Sequence, residues 1–244
     1  MSGFEDLRIV VTGGASGIGA ATVALLRARG ANVAIIDSSD VTGIHRCDVT
    51  DARAVASAVD RIATHLGGID VLINNAGVGA TGDVSANSDE EWLRVFDVNV
   101  FGAMRVTRSA LPYLRQSPNA AIVNTSSIVA VVGVPERVLY SATKGALATM
   151  TLAMAADHLR EGIRVNAVLP GTSDTPWVAR LLSESDDAVA ASESLRQRQP
   201  MGRLVPPNEV AHAIAYLADP ASSSTSGTLL TVDGGMGGLR MPAQ

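Results

Sequence analysis

Short apolar runs alternate along the chain with longer stretches whose hydrophobic positions recur at helical spacing, which predicts an α/β protein. Strands are expected at about residues 8–12, 32–36, 43–47, 70–74, 120–126, 162–169 and 228–232. Helices fill most of the intervals. The first runs to about Arg29 with Gly30 as its C-terminal cap; the second is capped by Thr50 or Asp51 and stops at Gly67-Gly68. Ser88 with Glu91 three residues later is a capping-box signature, opening a long helix through Trp92, Phe96, Asn99 and Met104. A further helix spans 140–160, and Pro206-Pro207-Asn208-Glu209 opens a last one to about Ala218. One interval breaks the rhythm. The linker from Asp37 to the strand at 43–47 is shorter than the roughly dozen residues of a parallel crossover, so its helix should be absent or reduced to a turn.

Three strand ends carry residues suited to a ligand. The first strand runs into Thr12-Gly13-Gly14-Ala15-Ser16-Gly17-Ile18-Gly19, where glycines permit a tight turn and the next helix offers its N-terminal N–H groups to a pyrophosphate. The second ends at Asp37, roughly 20 residues beyond that loop, where a carboxylate accepts from the ribose hydroxyls of NAD and repels the 2′-phosphate of NADP. Ser16 adds no cation for such a phosphate, so NAD is expected. The strand at 70–74 ends in Asn74-Asn75-Ala76-Gly77, at the sheet edge where open parallel sheets place ligands.

Composition narrows the class. Hydrophobic residues make up 47% of 244 and charged residues 18%, which predicts one globular, enzyme-sized unit. A net charge of −5 without a dense Lys/Arg cluster speaks against nucleic acid. Cys47 is the single cysteine, His45, His65, His158 and His212 are scattered, and no metal site is expected. The acidic start and the lack of a long apolar run predict a cytoplasmic protein that does not enter membranes. The helix at 140–160 carries only Lys144, Asp157 and Arg160 as formal charges, so a second surface should cover it, most economically another subunit: a homo-oligomer, dimer or tetramer. Segment 176–199 is polar and helical in pattern, which suits a mobile lid over a site, about 172–200.

Tyr140 and Lys144, four residues apart, share one helical face. A neighbouring cation favours the phenolate, and a tuned tyrosine can exchange protons near neutral pH. Together with T-G-G-A-S-G-I-G at 12–19, Asp37, D-V at 48–49, N-N-A-G at 74–77, Asn99, Ser127 thirteen residues before Tyr140, Y-S-A-T-K at 140–144, and P-G at 170–171 with Thr175, the chain resembles the short-chain dehydrogenase/reductase family over nearly its whole length.

The resemblance implies a single Rossmann domain over 1–244 with a doubly wound, seven-stranded parallel sheet, the part to about 120 binding NAD and 121–244 carrying catalysis and substrate. It implies Tyr140 as acid/base, Lys144 on the nicotinamide ribose and lowering the Tyr140 pKa, Ser127 on the substrate oxygen, and Asn99 holding a backbone kink and a relay water. Gly13, Ser16, Gly17, Ile18 and Gly19 would meet the phosphates and nearby ribose, Asp37 the adenosine ribose, and Asp48 and Val49 the adenine. Asn75, Ala76 and Gly77 would meet the middle of the cofactor, and Pro170, Gly171, Thr172, Ser173 and Thr175 the carboxamide. The partner is then a small alcohol or carbonyl compound. Trp177 is the candidate for substrate contact or for a latch over the cofactor. Glu136, Arg137, Thr172, Ser173 and Asp174 can offer hydrogen bonds to a polyol, and the glycine-rich tail is similar to that of family members acting on aldoses such as L-fucose or L-rhamnose. A 3-oxoacyl thioester or hydroxysteroid is the alternative substrate, and an NAD-binding sensor without turnover is the reading from a different class.

Overall fold

In the computed structural model, which describes residues 3–183, 185 and 187–241, seven parallel strands form one sheet. They are β1 (Arg8–Thr12), β2 (Asn32–Asp37), β3 (His45–Arg46), β4 (Val71–Asn74), β5 (Ala121–Thr125), β6 (Arg164–Pro170) and β7 (Leu229–Val232), in the order β3-β2-β1-β4-β5-β6-β7. Every residue of β4, β5 and β6 is buried, as expected of strands covered on both faces. One face packs on α1 (Gly17–Ala28) and α8 (Pro207–Ala218) through Val23, Leu26, Val210 and Ile214. The other carries α2 (Ala52–Leu66), α4 (Ala103–Leu114) and α5 (Val138–His158), with Val55, Ile62, Val106, Leu114 and Ala155 in its core. The strand order reverses between β1 and β4, and this fork opens the crevice that holds the site.

Where sequence and structure differ, local chemistry gives the reason. The strand expected at 43–47 shrinks to the two residues of β3, because only Ile36 and Asp37 of β2 face it; the linker between them has no helix, as expected. The long helix after Ser88 is three pieces: α3 (Asp89–Phe96), a π-helical segment at Asp97–Gly102, and α4. Its cap is half a capping box, since the Ser88 hydroxyl accepts from Glu91 N–H at 3.3 Å while the Glu91 carboxylate takes the Asn87 amide at 3.0 Å. Asp51, rather than Thr50, caps α2 by accepting from Arg53 and Ala54 N–H. The 176–199 stretch is α6 (Pro176–Ser183) and α7 (Ala188–Gln197), each sending one apolar residue inward, Val178 and Leu195. Residues 184 and 186 of the expected lid, like Met1 and Ser2, lie outside the described residues. No helix among the described residues is long and apolar enough to cross a membrane.

Candidate active site

The floor of the crevice is a cross-tie between β1 and β4. The Thr12 hydroxyl accepts from Asn75 and Ala76 N–H, both at 3.0 Å, and the Asn75 amide returns bonds to the Thr12 and Gly13 carbonyls at 3.2 and 3.1 Å. This closeness dictates the glycines. Gly13 has φ +64° and a Cβ there would lie 2.8 Å from Ala76 Cα; a Cβ on Gly19 would collide with the Gly13 carbonyl. Gly19 is therefore a packing residue behind the loop, not part of the cavity wall. The loop delivers Ser16, Gly17 and Ile18 to the N-terminus of α1, where unpaired N–H groups favour an anion.

Asp37 closes this end. Burial raises its pKa, but hydrogen bonds from Ser39, Ala15 and Ser38 outweigh that and hold the carboxyl below its ordinary value. One oxygen accepts from Ala15 N–H at 3.0 Å and the other from the Ser39 N–H and hydroxyl at 3.0 and 2.8 Å. The acid is fixed and ionised.

The far end is built on the junction of β5 and α5. Lys144 is 4% exposed; its Nζ donates to the Thr125 carbonyl at 2.9 Å and lies 5.7 Å from the Tyr140 ring centroid. The Ser126 hydroxyl donates to the Lys144 carbonyl at 2.8 Å, locking strand to helix. Ser127 turns the chain after β5, its hydroxyl accepting from Val129 N–H at 3.4 Å, and it stands near enough to the Tyr140 phenol to lower its pKa. The expected lowering of the Tyr140 pKa is outweighed by burial. Burial pushes the phenol up to about 12, and the opposing influences are Ser127 and the Arg137 charge. Burial likewise pushes Lys144 down to about 8, so its charge is itself costly to hold.

Asn99 sits in the π-helical segment and is 1% exposed. Its Oδ1 accepts from Val78 N–H at 2.8 Å, and its Nδ2 donates to the Val78 carbonyl at 2.9 Å and the Thr143 hydroxyl at 3.1 Å. It ties the end of β4 to α5 from behind, and does not line the cavity. Gly77 makes room for it, since a Cβ there would lie 3.2 Å from Asn99 Oδ1 and 3.4 Å from Lys144 Nζ.

The two ends share one cavity of about 860 Å³, lined by every residue expected in catalysis or cofactor binding except Gly19 and Asn99. Its size and contents fit a nicotinamide dinucleotide: a glycine cradle at a helix N-terminus, an ionised acid, and the Ser173 and Thr125 hydroxyls, which are buried without a partner. Trp177 lies across Gly79, where a Cβ would run into the indole. No group of three or more potential metal ligands occurs among the described residues.

Residues 13–237 match the family profile described as enoyl-(acyl carrier protein) reductase. A cis-4-hydroxycyclohexanecarboxylate dehydrogenase of Sinomonas cyclohexanicum is 42% identical over 95% of this chain and 97% of its own length. A 3-oxoacyl-[acyl-carrier-protein] reductase of Thermotoga maritima is 35% identical over 93% of this chain and 96% of its own. The structure of ligand-free Thermoplasma acidophilum aldohexose dehydrogenase superposes with a TM-score of 0.92 at 33% identity, covering 99% of both chains. The chain belongs to the short-chain dehydrogenase/reductase family.

As a member of that family it is an oxidoreductase acting on CH–OH groups with a nicotinamide cofactor. Of the residues suited to a polyol, Arg137, Thr172 and Ser173 line the cavity, and Glu136 and Asp174 do not. Sequence reasoning did not single out Arg180, Leu195, Arg198 or Met236, which do. They come from segments distant in sequence, and neither periodicity nor motif marks them.

Proposed function

We propose that the protein is an NAD-dependent dehydrogenase that reversibly oxidises a secondary alcohol, with Tyr140 as proton acceptor. The observation that carries this is the meeting of Ser127, Tyr140 and Lys144 on the wall of the cavity that also holds the glycine cradle and Asp37. Gly13, Ser16, Gly17, Ile18, Asp37, Asp48, Val49, Asn75, Ala76, Gly77, Pro170, Gly171, Thr172, Ser173 and Thr175 would hold NAD, which would supply the hydride acceptor for the carbinol carbon. Ser127 and Tyr140 orient the alcohol oxygen, and the phenol oxygen takes its proton. Lys144 positions a ribose hydroxyl and supplies a cation beside the phenol, while Asn99 and Thr143 hold α5 in register behind them. The ionised Asp37 favours ribose hydroxyls over a 2′-phosphate, which supports NAD over NADP.

The substrate reading is a ring-borne secondary alcohol, which the hydroxycyclohexanecarboxylate and aldohexose dehydrogenases support by name. Residues 172–200 act as the lid, with Trp177 as its latch on Gly79. Exposed Leu152 and Ala153 on α5 and exposed Phe101 before α4 support a homo-oligomer, dimer or tetramer, joined through these helices. The test is NADH formation from a panel of cyclic alcohols, hydroxy acids, aldoses and hydroxysteroids. Tyr140→Phe should lower kcat by roughly 10²–10⁴-fold. A mutant as fast as the parent on its best substrate removes the mechanism.

A further inference from the structure

Three arginines, Arg137, Arg180 and Arg198, line the same cavity, and none forms an ion pair among the described residues; Arg180 is exposed, and the other two are set deeper. Arg137, three residues before Tyr140, is half-buried; its Nη1 donates to the Thr81 hydroxyl at 2.6 Å and to the Glu136 carbonyl at 3.1 Å, both neutral acceptors. Arg198, at the C-terminal end of α7, is also half-buried, and its guanidinium has no hydrogen-bond or ion-pair partner among the described residues. The two charges are close enough to act on each other: burial first, then Arg198, lowers the Arg137 pKa. Arg198 also lines a neighbouring recess with Val134, Met236 and Arg240.

The acids of the cavity stand elsewhere. Asp37 ends β2 and Asp48 follows β3, both on the glycine-loop side. Glu136 is exposed, and its charge raises the Arg137 pKa by less than burial and Arg198 lower it. Half-burying two like charges without an anion is unfavourable, and such an arrangement marks a place where an anion binds. A planar guanidinium fork matches a carboxylate. Val129, Val134, Trp177, Leu195 and Met236 add apolar surface to the same cavity, suited to the body of a ring.

We propose that Arg137 and Arg198 together recognise a carboxylate on the substrate, which is then a hydroxy acid: a secondary alcohol on an apolar, ring-sized body with its carboxylate away from the carbinol carbon. This rests on the dehydrogenase reading above and adds the group that selects the substrate. It places the fixed charge of the substrate at one point and the carbinol at Tyr140, so the ring between them sets which hydroxyl reacts.

The test compares cyclic hydroxy acids with their carboxamides and with the parent cycloalkanols, using NAD and the full-length protein. The acid should exceed its carboxamide in kcat/KM by about ten- to a hundredfold, mainly through KM. Arg198→Gln and Arg137→Gln should each collapse that ratio toward unity. Competitive inhibition needs no folded mutant: cyclohexanecarboxylate should inhibit the parent enzyme, and cyclohexanecarboxamide should inhibit at least tenfold more weakly. Equal use of acid and amide, or a KM change in the variants that falls on NAD rather than on the hydroxy acid, overturns the carboxylate assignment and leaves the dehydrogenase standing. Failure to oxidise any alcohol despite NAD binding overturns both.

Discussion

Lys144 carries a charge that its surroundings disfavour, and this has a measurable sign. Its pKa falls from 10.5 to about 8 on burial, so between those values the unfolded chain binds more protons than the folded one. Stability contributed through this group therefore rises with pH across that window and is flat below it. Lys144→Met should abolish turnover, and its Tm relative to the parent should decline as pH increases from 8 to 10.5; a constant difference would show that Lys144 titrates normally. Tyr140 is shifted the other way, and Arg137 is the nearby cation that lowers it. With a neutral cycloalkanol as substrate, Arg137→Gln should move the ascending limb of the kcat/KM profile to higher pH by roughly half to one unit. The four-residue spacing of Tyr140 and Lys144 was legible in sequence, but the sign of the phenol's shift was not. Spacing puts a cation nearby, whereas burial on all sides is a property of the assembled site.

Among the elements, the π-helical segment at Asp97–Gly102 is the one that sequence could not disclose. Ser88, Trp92, Phe96 and Met104 keep an acceptable helical rhythm, and the wider turn is imposed by Asn99 bonding across to Val78 and Thr143. Asn99→Ala would orphan the Val78 N–H and carbonyl and should cost about 2–4 kcal/mol in urea unfolding, with activity lost alongside. β3 was overestimated because hydrophobicity at 43–47 says nothing about how much of β2 remains to pair with it. The helices of the 176–199 segment were legible, while the rest of Trp177 on Gly79 required coordinates. Gly79→Ala should displace the indole; in a Trp92→Phe background, a shift in the emission of the remaining tryptophan and a raised substrate KM would report it.

At the scale of the whole molecule, the order of strands and the glycine, acid and amide signals were legible because each is local to one strand end. Arg137 was legible as a candidate contact but its convergence with Arg198 was not, since the two share a wall only when α5 and α7 are packed around one cavity. Asp37→Ala should narrow the preference for NAD over NADP, measured as the ratio of kcat/KM values; an unchanged ratio would mean another residue reads the ribose. The core also contains a chain of amides and hydroxyls. Asn74 donates to Thr107 on α4 and to Asn124 on β5, both at 2.9 Å, and Asn124 donates to Thr151 on α5 at 2.8 Å. Asn74 and Asn124 are direct partners in the β4–β5 register. If β5 slipped by one residue, its entire inward set would change faces, and these groups would be stranded in hydrocarbon. An otherwise uniform, Val- and Ile-rich sheet thus acquires a single permitted alignment, and the same four side chains gauge the distance between the two helices that border the proposed subunit contact.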